Sequence, residues 1–303
     1  MKELVVISGK GGTGKTSLVA CFAALADRTV LADCDVDAAD LHLILDPIVC
    51  SQEDYSGGKR VSLDATLCIG CGKCEELCRF GAISMTPSDD KEQNRVCTIS
   101  PIACEGCGVC AWFCPTGALV MEPAINGEWY ISQTRMGPMV HARLGVAEEN
   151  SGKLVSTVRQ AARKLAEDRD LDLVLIDGSP GIGCPVIASI TGADLVLIVV
   201  EPTVSGLHDL ERVADLIRHF EVSGMVCVNK WDLNPQVSDR IEQFASERGL
   251  AITGRVRYSR SITDAQIARQ TVVEYTQEGV VQDIRDVWKS VEDSLGSVTA
   301  TNN

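Results

Sequence analysis

Apolar residues along this chain fall into short unbroken runs that alternate with stretches of helical spacing. The first run, ELVVIS at residues 3–8, reads as a strand that feeds a glycine-rich loop, and a helical stretch follows over 15–26. TVLAD at 29–33 predicts a second strand, and a helical stretch over 38–45 fades toward Asp46 and Pro47. The rhythm resumes with a helix over 153–168, where Val155, Val158, Ala162 and Leu165 recur at helical spacing. Further strands are predicted at 171–177, 193–200, 224–229 and 251–256, with helices through 186–190, 205–220 and 236–248. Strands alternating with helices predict an α/β fold, a doubly wound and mostly parallel sheet.

Between residues 55 and 123 the rhythm breaks. This stretch is short-spaced, rich in glycine, and holds nine of the fourteen cysteines. It reads as a small α+β domain inserted in a surface loop, an insertion that costs little when the loop ends lie close together. The expected organisation is a sheet domain over 1–54 and 124–303, with the insert over 55–123.

Composition sharpens this picture. A hydrophobic fraction of 45% with only 4% aromatics implies an aliphatic core, as a parallel sheet covered by helices requires. The formal net charge of −14 sets the surface against DNA and anionic bilayers, so neither nucleic acid nor a stable membrane association is expected. The first residues read as a strand rather than a signal peptide, and no apolar run approaches the roughly 20 residues that span a bilayer. A cytoplasmic location is therefore expected. In a reducing compartment, fourteen cysteines point to metal before disulfides.

Residues 9–16 read GKGGTGKT, which satisfies G-x-x-x-x-G-K-[ST] between a strand and a helix. In such a loop the backbone N–H groups of Gly9, Gly11, Gly12, Thr13, Gly14, Lys15, Thr16 and Ser17 converge on phosphates. Lys15 reaches the β/γ oxygens and Thr16 holds Mg²⁺. With Lys10, the loop resembles the deviant Walker A of the MinD/ParA, ArsA and nitrogenase iron protein group. The resemblance makes Lys10 the lysine that reaches a partner's phosphates across a nucleotide-sandwich dimer. It also makes the DCDVD run at 33–37 switch I, with Asp35 positioning the attacking water and Asp33 behind the Mg²⁺. Asp37 and Asp40 read as helix N-terminal charges. Asp177, which ends LDLVLID, becomes the Walker B residue that orients Mg²⁺ through water, and Gly181 the γ-phosphate sensor of switch II. Asn229 stands where the group reads the base. As N-K-x-D with Asp232 it is also the guanine signature of GTPases, so the loop favours ATP while this tetrapeptide keeps GTP open.

The second chemistry lies in two runs. Cys68, Cys71, Cys74 and Cys78 are followed by Arg79; Cys104, Cys107, Cys110 and Cys114 are followed by Pro115. The spacing C-x-x-C-x-x-C-x-x-x-C resembles that of bacterial ferredoxins with two [4Fe–4S] clusters, where the fourth cysteine of each run serves the other cluster. The resemblance implies Cys68, Cys71, Cys74 and Cys114 for one cluster and Cys104, Cys107, Cys110 and Cys78 for the second. Arg79 departs from the usual proline but leaves all eight ligands in place. Zinc, the alternative, is held more often by two C-x-x-C units than by two runs of four.

Six cysteines remain. Cys21 and Cys227 fall on a helix and a strand, where thiols act as small hydrophobes, and Cys34 reads as packed between the switch aspartates. Cys50 and Cys97 have no role assigned by the sequence. Cys184 lies where the nitrogenase iron protein has an interface cluster ligand. A symmetric dimer would then supply two thiolates rather than four, which makes packing or a redox-sensitive thiol the expected role. Glu201 ends a central strand on the ligand side of the sheet, and His42, His141, His208 and His219 read as structural.

Together these motifs resemble the MinD-superfamily ATPases with an inserted ferredoxin domain. Residues 147–155 (AEENSGKLV) and 179–195 fit the same resemblance. It implies an ATPase whose cofactors are ATP, Mg²⁺ and two [4Fe–4S] clusters. It implies as partners a homodimeric copy or a sister ATPase, and a redox or metal–sulfur-cluster protein. Three activities stay open at this point: ATP-gated electron transfer, cluster carriage and assembly, and positioning in the manner of MinD in cell division. The last is disfavoured by the acidic polar face of the C-terminal helix, where Asp283, Asp286, Glu292 and Asp293 outnumber Arg285 and Lys289.

Overall fold

The computed structural model describes residues 1–87, 95–145 and 152–297. They form two compact units, one of Met1–Glu53, Trp129–Leu144 and residues 152–297, the other of Asp54–Glu128 with Gly145. The first begins with β1 (Lys2–Ser8), α1 (Lys15–Leu25), β2 (Thr29–Asp33), α2 (Leu41–Leu45) and β3 (Ile48–Tyr55). The second contains β4 (Gly58–Leu63), α3 (Lys73–Leu77), β5 (Ile83–Pro87), β6 (Arg95–Ile99), α4 (Val109–Trp112) and β7 (Leu119–Ala124). The chain then passes through β8 (Gly127–Thr134), β9 (Gly137–Leu144), α5 (Lys153–Asp168), β10 (Leu173–Pro180), α6 (Cys184–Ile190) and β11 (Leu195–Val200). It finishes with α7 (Val204–His219), β12 (Gly224–Asn229), α8 (Pro235–Glu247), β13 (Ala251–Val256), α9 (Arg260–Ile267), α10 (Val272–Tyr275) and α11 (Gly279–Ser297).

The large sheet runs β13-β12-β11-β1-β10-β2-β9-β8-β3. Every neighbouring pair from β13 to β9 is parallel. β1 sits between β10 and β11, with Val5 opposite Ile176 on one side and Val196 on the other. Such a change of winding direction opens a crevice at the carboxyl ends of the strands. The loop after β1 lies at that crevice.

Both faces of the sheet are covered, which is why its strands read as continuous apolar runs. Leu4, Val6, Leu175 and Leu197 pack with Leu18 and Phe22 of α1 and with Ile284, Val287 and Val291 of α11. The Phe22 and Trp288 rings lie 5.2 Å apart, pinning α1 to α11. On the other face α5, α6, α7 and α8 pack on β2, β10, β11 and β12. A buried ion pair ties that layer to the central strand. Glu3 of β1 receives the guanidinium of Arg159 of α5, while Arg163 approaches its other oxygen at 3.2 Å. The Arg159 guanidinium also donates to the carbonyls of Ala188 and Thr191, at 3.1 and 2.6 Å, fastening the end of α6.

The mostly parallel α/β sheet and the small inserted unit agree with the architecture expected from the sequence. The elements at 29–33, 153–168, 224–229 and 251–256 begin and end where the pattern places them. Three features differ. The stretch at 38–45 is helical only over Leu41–Leu45, because the Asp33 carboxylate accepts the amides of Asp35 and Leu41 and holds the intervening residues as a loop. β3 and the β8–β9 pair were not expected; β3 is exposed along most of its length, and its mixed polar pattern IVCSQEDY carries no strand period. Finally, α9 and α10 are not predicted by the apolar pattern, although ahead of α10 Thr271 and Glu274 form a capping box, a signal visible in the sequence. Of the stretch 147–155, residues 147–151 lie outside the described residues. No helix among the described residues is long and apolar enough to cross a membrane; α11 instead packs on β13 and α1.

The buried pair gives a stability test. Arg159→Met strands the Glu3 carboxylate and is expected to destabilise the sheet unit by roughly 3–5 kcal/mol. Arg163→Met, at the exposed end of the same network, is expected to cost less than about 1 kcal/mol. Urea midpoints followed by far-ultraviolet circular dichroism check both, and equal midpoints for the two variants would contradict the assignment.

Candidate functional site

The loop after β1 turns into α1 through Gly14, whose φ of 89° is left-handed. A Cβ at Gly14 would sit 2.4 Å from the Asn229 side-chain nitrogen, so only glycine fits there. Gly9 has a different constraint: a Cβ would come within 2.3 Å of Asp209, so this glycine admits α7 rather than a ligand. A cleft of about 660 Å³ opens beside the loop. Gly11, Gly12, Thr13, Gly14, Lys15, Thr16 and Ser17 line it, together with Asp35, Asn229, Lys230, Tyr258 and Gln266.

At the floor, one ammonium serves two carboxylates. Lys15 Nζ donates to Asp177 Oδ1 and, at 3.3 Å, to Asp35 Oδ2. All three side chains are buried, as is Asp33 beside them. Burial alone would lower the Lys15 pKa, but Asp177 and Asp35 more than offset it and hold the ammonium above its ordinary value. Burial, then repulsion from Asp177, pushes Asp33 well above the carboxylate range, with Lys15 opposing. Asp35 is raised as well, chiefly by burial. Asp177 Oδ2 is buried without a hydrogen-bond partner among the described residues. The orphaned Asp177 oxygen and the Thr16 hydroxyl at the cleft are oxygen donors of the kind Mg²⁺ takes when most of its coordination comes from water and phosphate.

Around this floor the structure distributes the sequence-derived residues unevenly. Lys10 does not line the cleft. Its Nζ donates to Thr203 and Ser205 at 3.0 and 3.1 Å and lies 3.5 Å from Glu201. Glu201 also pairs with Lys230 at 3.2 Å, and Lys230 donates to the Gly12 carbonyl at 3.0 Å. Glu201, Lys230 and Thr203 thus brace the loop; the strand-end position of Glu201, Pro202 and Thr203 suggested proximity to the nucleotide instead. The Asn229 amide donates to the Thr13 carbonyl at 2.7 Å and accepts the Lys230 amide at 3.0 Å. These bonds hold the loop, and Asn229 also lines the cleft. Gly181 has φ 94° and donates its N–H to the Ser8 carbonyl at 2.8 Å, so that N–H is already engaged. Asp232 accepts the Tyr258 amide at 2.6 Å.

The second unit is built on a repeat in which each ligand of the second run lies 36 residues after its counterpart in the first. β4 pairs with β7 and β5 with β6, both antiparallel, with Val61 opposite Met121 and Met85 opposite Cys97. Cys68, Cys71, Cys74 and Cys114 surround one hollow, and Cys78, Cys104, Cys107 and Cys110 a second. Gly70 and Gly106 have φ of 65° and 63°, and a Cβ on either would strike the carbonyl of Arg95 or Lys59. That close approach lets the loops wrap around the hollows. The Ala82 amide donates to Cys78 Sγ at 3.3 Å. Cys114 is lowered despite burial, because the Thr116, Leu119 and Ala118 amides and the Thr116 hydroxyl point at its sulfur. Among the described residues no three His, Cys, Asp or Glu side chains converge on one point. Four thiols around each of two hollows is the donor set of a [4Fe–4S] cluster, one thiolate to each iron. Cys97, unassigned by the sequence, is 2% exposed and lies in the first hollow.

Elsewhere, Cys21 and Cys227 are buried and pushed up to about 12 by desolvation. Cys34 is buried and raised for the same reason. Cys184, by contrast, is exposed at the start of α6 and is not packed. His141 bonds Ser132 at 2.8 Å, stacks on Tyr130 and is lowered to about 4 by burial, as a structural histidine.

The raised Asp33 has a pH consequence. Its folded value lies above its unfolded one, so the folded state keeps a proton that the unfolded state has released. Stability from this group therefore falls as pH rises from the ordinary carboxylate value through the raised one. Asp33→Asn removes that fall. Chemical unfolding across this window, without added nucleotide, is expected to show wild type losing stability relative to the variant; parallel profiles would contradict the burial of a strained carboxylate.

Residues 67–118 match the family model of the 4Fe–4S dicluster domain. The chain is 37% identical over 242 residues to the uncharacterized protein MJ0578 of Methanocaldococcus jannaschii, covering 77% of this chain and 79% of that one. Its fold resembles that of the MinC:MinD cell division protein complex of Aquifex aeolicus, at 17% identity and a TM-score of 0.57, over 97% of this chain and 96% of that one. It resembles equally the septum site-determining protein MinD of Pyrococcus horikoshii complexed with Mg-ADP, at 14% identity and a TM-score of 0.54, over 98% of both chains. With the loop, the buried carboxylates and the two cysteine rings now placed, the chain belongs to one family with the Methanocaldococcus protein, shares the fold of the MinD structures, and carries a 4Fe–4S dicluster domain over residues 67–118.

Proposed function

We propose that this protein binds and hydrolyses MgATP and couples that cycle to electron transfer from two [4Fe–4S] clusters to a partner protein. One observation carries the reading: eight cysteines ring two separate hollows four and four, the last of each run crossing to the other, in a chain whose other unit holds a phosphate loop. Complete four-thiolate rings suit retained clusters more than cargo for delivery.

In the nucleotide unit, Lys15 exchanges its carboxylate partners for the β/γ-phosphate oxygens, and Thr16 and Asp177 hold Mg²⁺ directly and through water. Asp35, freed from Lys15, positions the attacking water. Lys10 leaves Glu201, Thr203 and Ser205 to reach the nucleotide of a second subunit, either an identical chain or a sister ATPase. The shared use of Lys15 by Asp35 and Asp177 supports this, because phosphate arrival releases both carboxylates together. Adenine is favoured over guanine. The aspartate of N-K-x-D, Asp232, already accepts a backbone amide, and the Pyrococcus horikoshii neighbour is named with Mg-ADP. Gly181 acts as γ-phosphate sensor only if it gives up its bond to Ser8. The insert over 55–123 is proposed to act as one electron-transfer module, leaving the sheet shortly after the switch aspartates. A ligand alters such a module only by binding two states unequally.

The test uses anaerobically purified protein. About eight irons per chain are expected. Lys15→Ala is expected to abolish ATP hydrolysis, and Asp35→Ala to keep ATP binding while slowing hydrolysis by about 10²-fold or more. Cluster reoxidation by an acceptor is expected to differ between MgATP, MgADP and no nucleotide. Identical rates in all three would sink the coupling, and passage of the iron to an apo-acceptor would establish a carrier instead.

A further inference from the structure

Four cysteines complete the first hollow, yet a fifth thiol is buried against them. Cys97 on β6 is 2% exposed and packs with Cys68 and Cys74. All three thiols line the same hollow. A [4Fe–4S] cube takes four thiolates, which leaves Cys97 as a fifth thiol beside the ring, with an S–H to donate.

The internal repeat supplies a control within the same molecule. The position 36 residues before Cys97 is Val61, and Val61 lines the second hollow as Cys97 lines the first. Both are buried, both lie mid-strand, and both face a methionine across the pair, Met85 for Cys97 and Met121 for Val61. The repeat therefore puts an S–H donor at one hollow and two methyl groups at the other. Two exposed differences point the same way. Lys73 stands at the first hollow where the second has Val109, and Glu105 at the second where the first has Ile69. Their charges are exposed and screened by salt; the Cys97 thiol is not.

Resting on the cluster assignment above, we infer that Cys97 is a positioning residue that donates its S–H to the ligand sulfurs of Cys68 and Cys74, raising the reduction potential of their cluster above that of the other. The sign follows from charge. Reduction adds an electron to the cluster, and a donor aimed at a ligand sulfur stabilises the more negative state. Cys97 keeps its proton throughout, so no group other than the cluster changes oxidation state.

The test is an EPR-monitored redox titration of the intact, iron-loaded protein. In Cys97→Ala the reduced fraction of one cluster is expected to fall about tenfold relative to the other at fixed potential, which is about 59 mV for a one-electron couple. Cys97→Ser, which keeps an O–H donor, is expected to restore part of that shift. Val61→Cys is expected to raise the couple that Cys97→Ala leaves unmoved, identifying which cluster is which. Unaltered potentials in a fully loaded Cys97→Ala protein would overturn this inference alone. Loss of about four irons in that variant would overturn it by making Cys97 a ligand. Wild-type protein without iron would overturn the cluster assignment, and this inference with it.

Discussion

The first unit depends on a concentration of buried charge at the ends of adjacent parallel strands. Asp33 ends β2, Asp177 lies near the end of β10, and Lys15 begins the helix after β1. Their strands pair directly, with Asp177 opposite Asp33 and Val6. Parallel pairing thus brings carboxylates that are distant in sequence side by side, and the Lys15 ammonium tempers their repulsion. An isolated carboxylate in such a place would be costly; several around one cation remain unsatisfied and receptive to more positive charge. A floor that crowds three carboxyl groups around one cation is poor as a structural element and well suited to a magnesium–nucleotide site.

The rest of the sheet unit serves that floor by making its backbone rigid. Helices on both faces seal the strands, and the Glu3–Arg159 pair fixes α5 and the end of α6 to β1. The loop itself is held from beneath by Asn229 and from the side by Lys230, which Glu201 orients. Lys10 shares that same glutamate. Two lysines competing for one carboxylate link the outward-reaching side of the loop to its inner brace, so movement of Lys10 leaves Lys230 as the sole partner of Glu201 among these lysines.

The insert solves a different problem with different means. Its core is small, made of Val61, Ile83, Ala118 and Leu119 together with cysteines. A unit of this size buries too little apolar surface to be robust on its own, and cross-links through metal are the usual remedy. The crossing of Cys78 and Cys114 between hollows ties the two repeats to each other, so each ring draws on both halves. Repetition makes the halves alike, and the few buried departures from it, Cys97 against Val61 foremost, are where they acquire separate properties.

Much of this was legible in the sequence, for reasons that can be named. Continuous apolar runs and helical spacing are local patterns, so the elements at 29–33, 153–168 and 224–229 were legible from end to end. Glycines between a strand and a helix, and thiols two residues apart, are likewise local, so the phosphate loop and both cysteine runs stood out. Three-dimensional contact decided the rest. The edge strand β3 carries no apolar period, since exposed backbone pairing needs none, while β8 and β9 bury small and polar residues such as Ser132, Thr134 and Ala142 beside their apolar ones. That Asn229 holds the loop, that Lys10 rests on Glu201, and that Cys97 belongs to one hollow follow from strand register and packing, which join residues up to 216 positions apart. The sequence by itself determined which chemistry the chain carries, because motifs are set by neighbours along the backbone. Only the tertiary structure decided which side chains share a charge, a brace or a cluster wall, because those partnerships depend on neighbours in space.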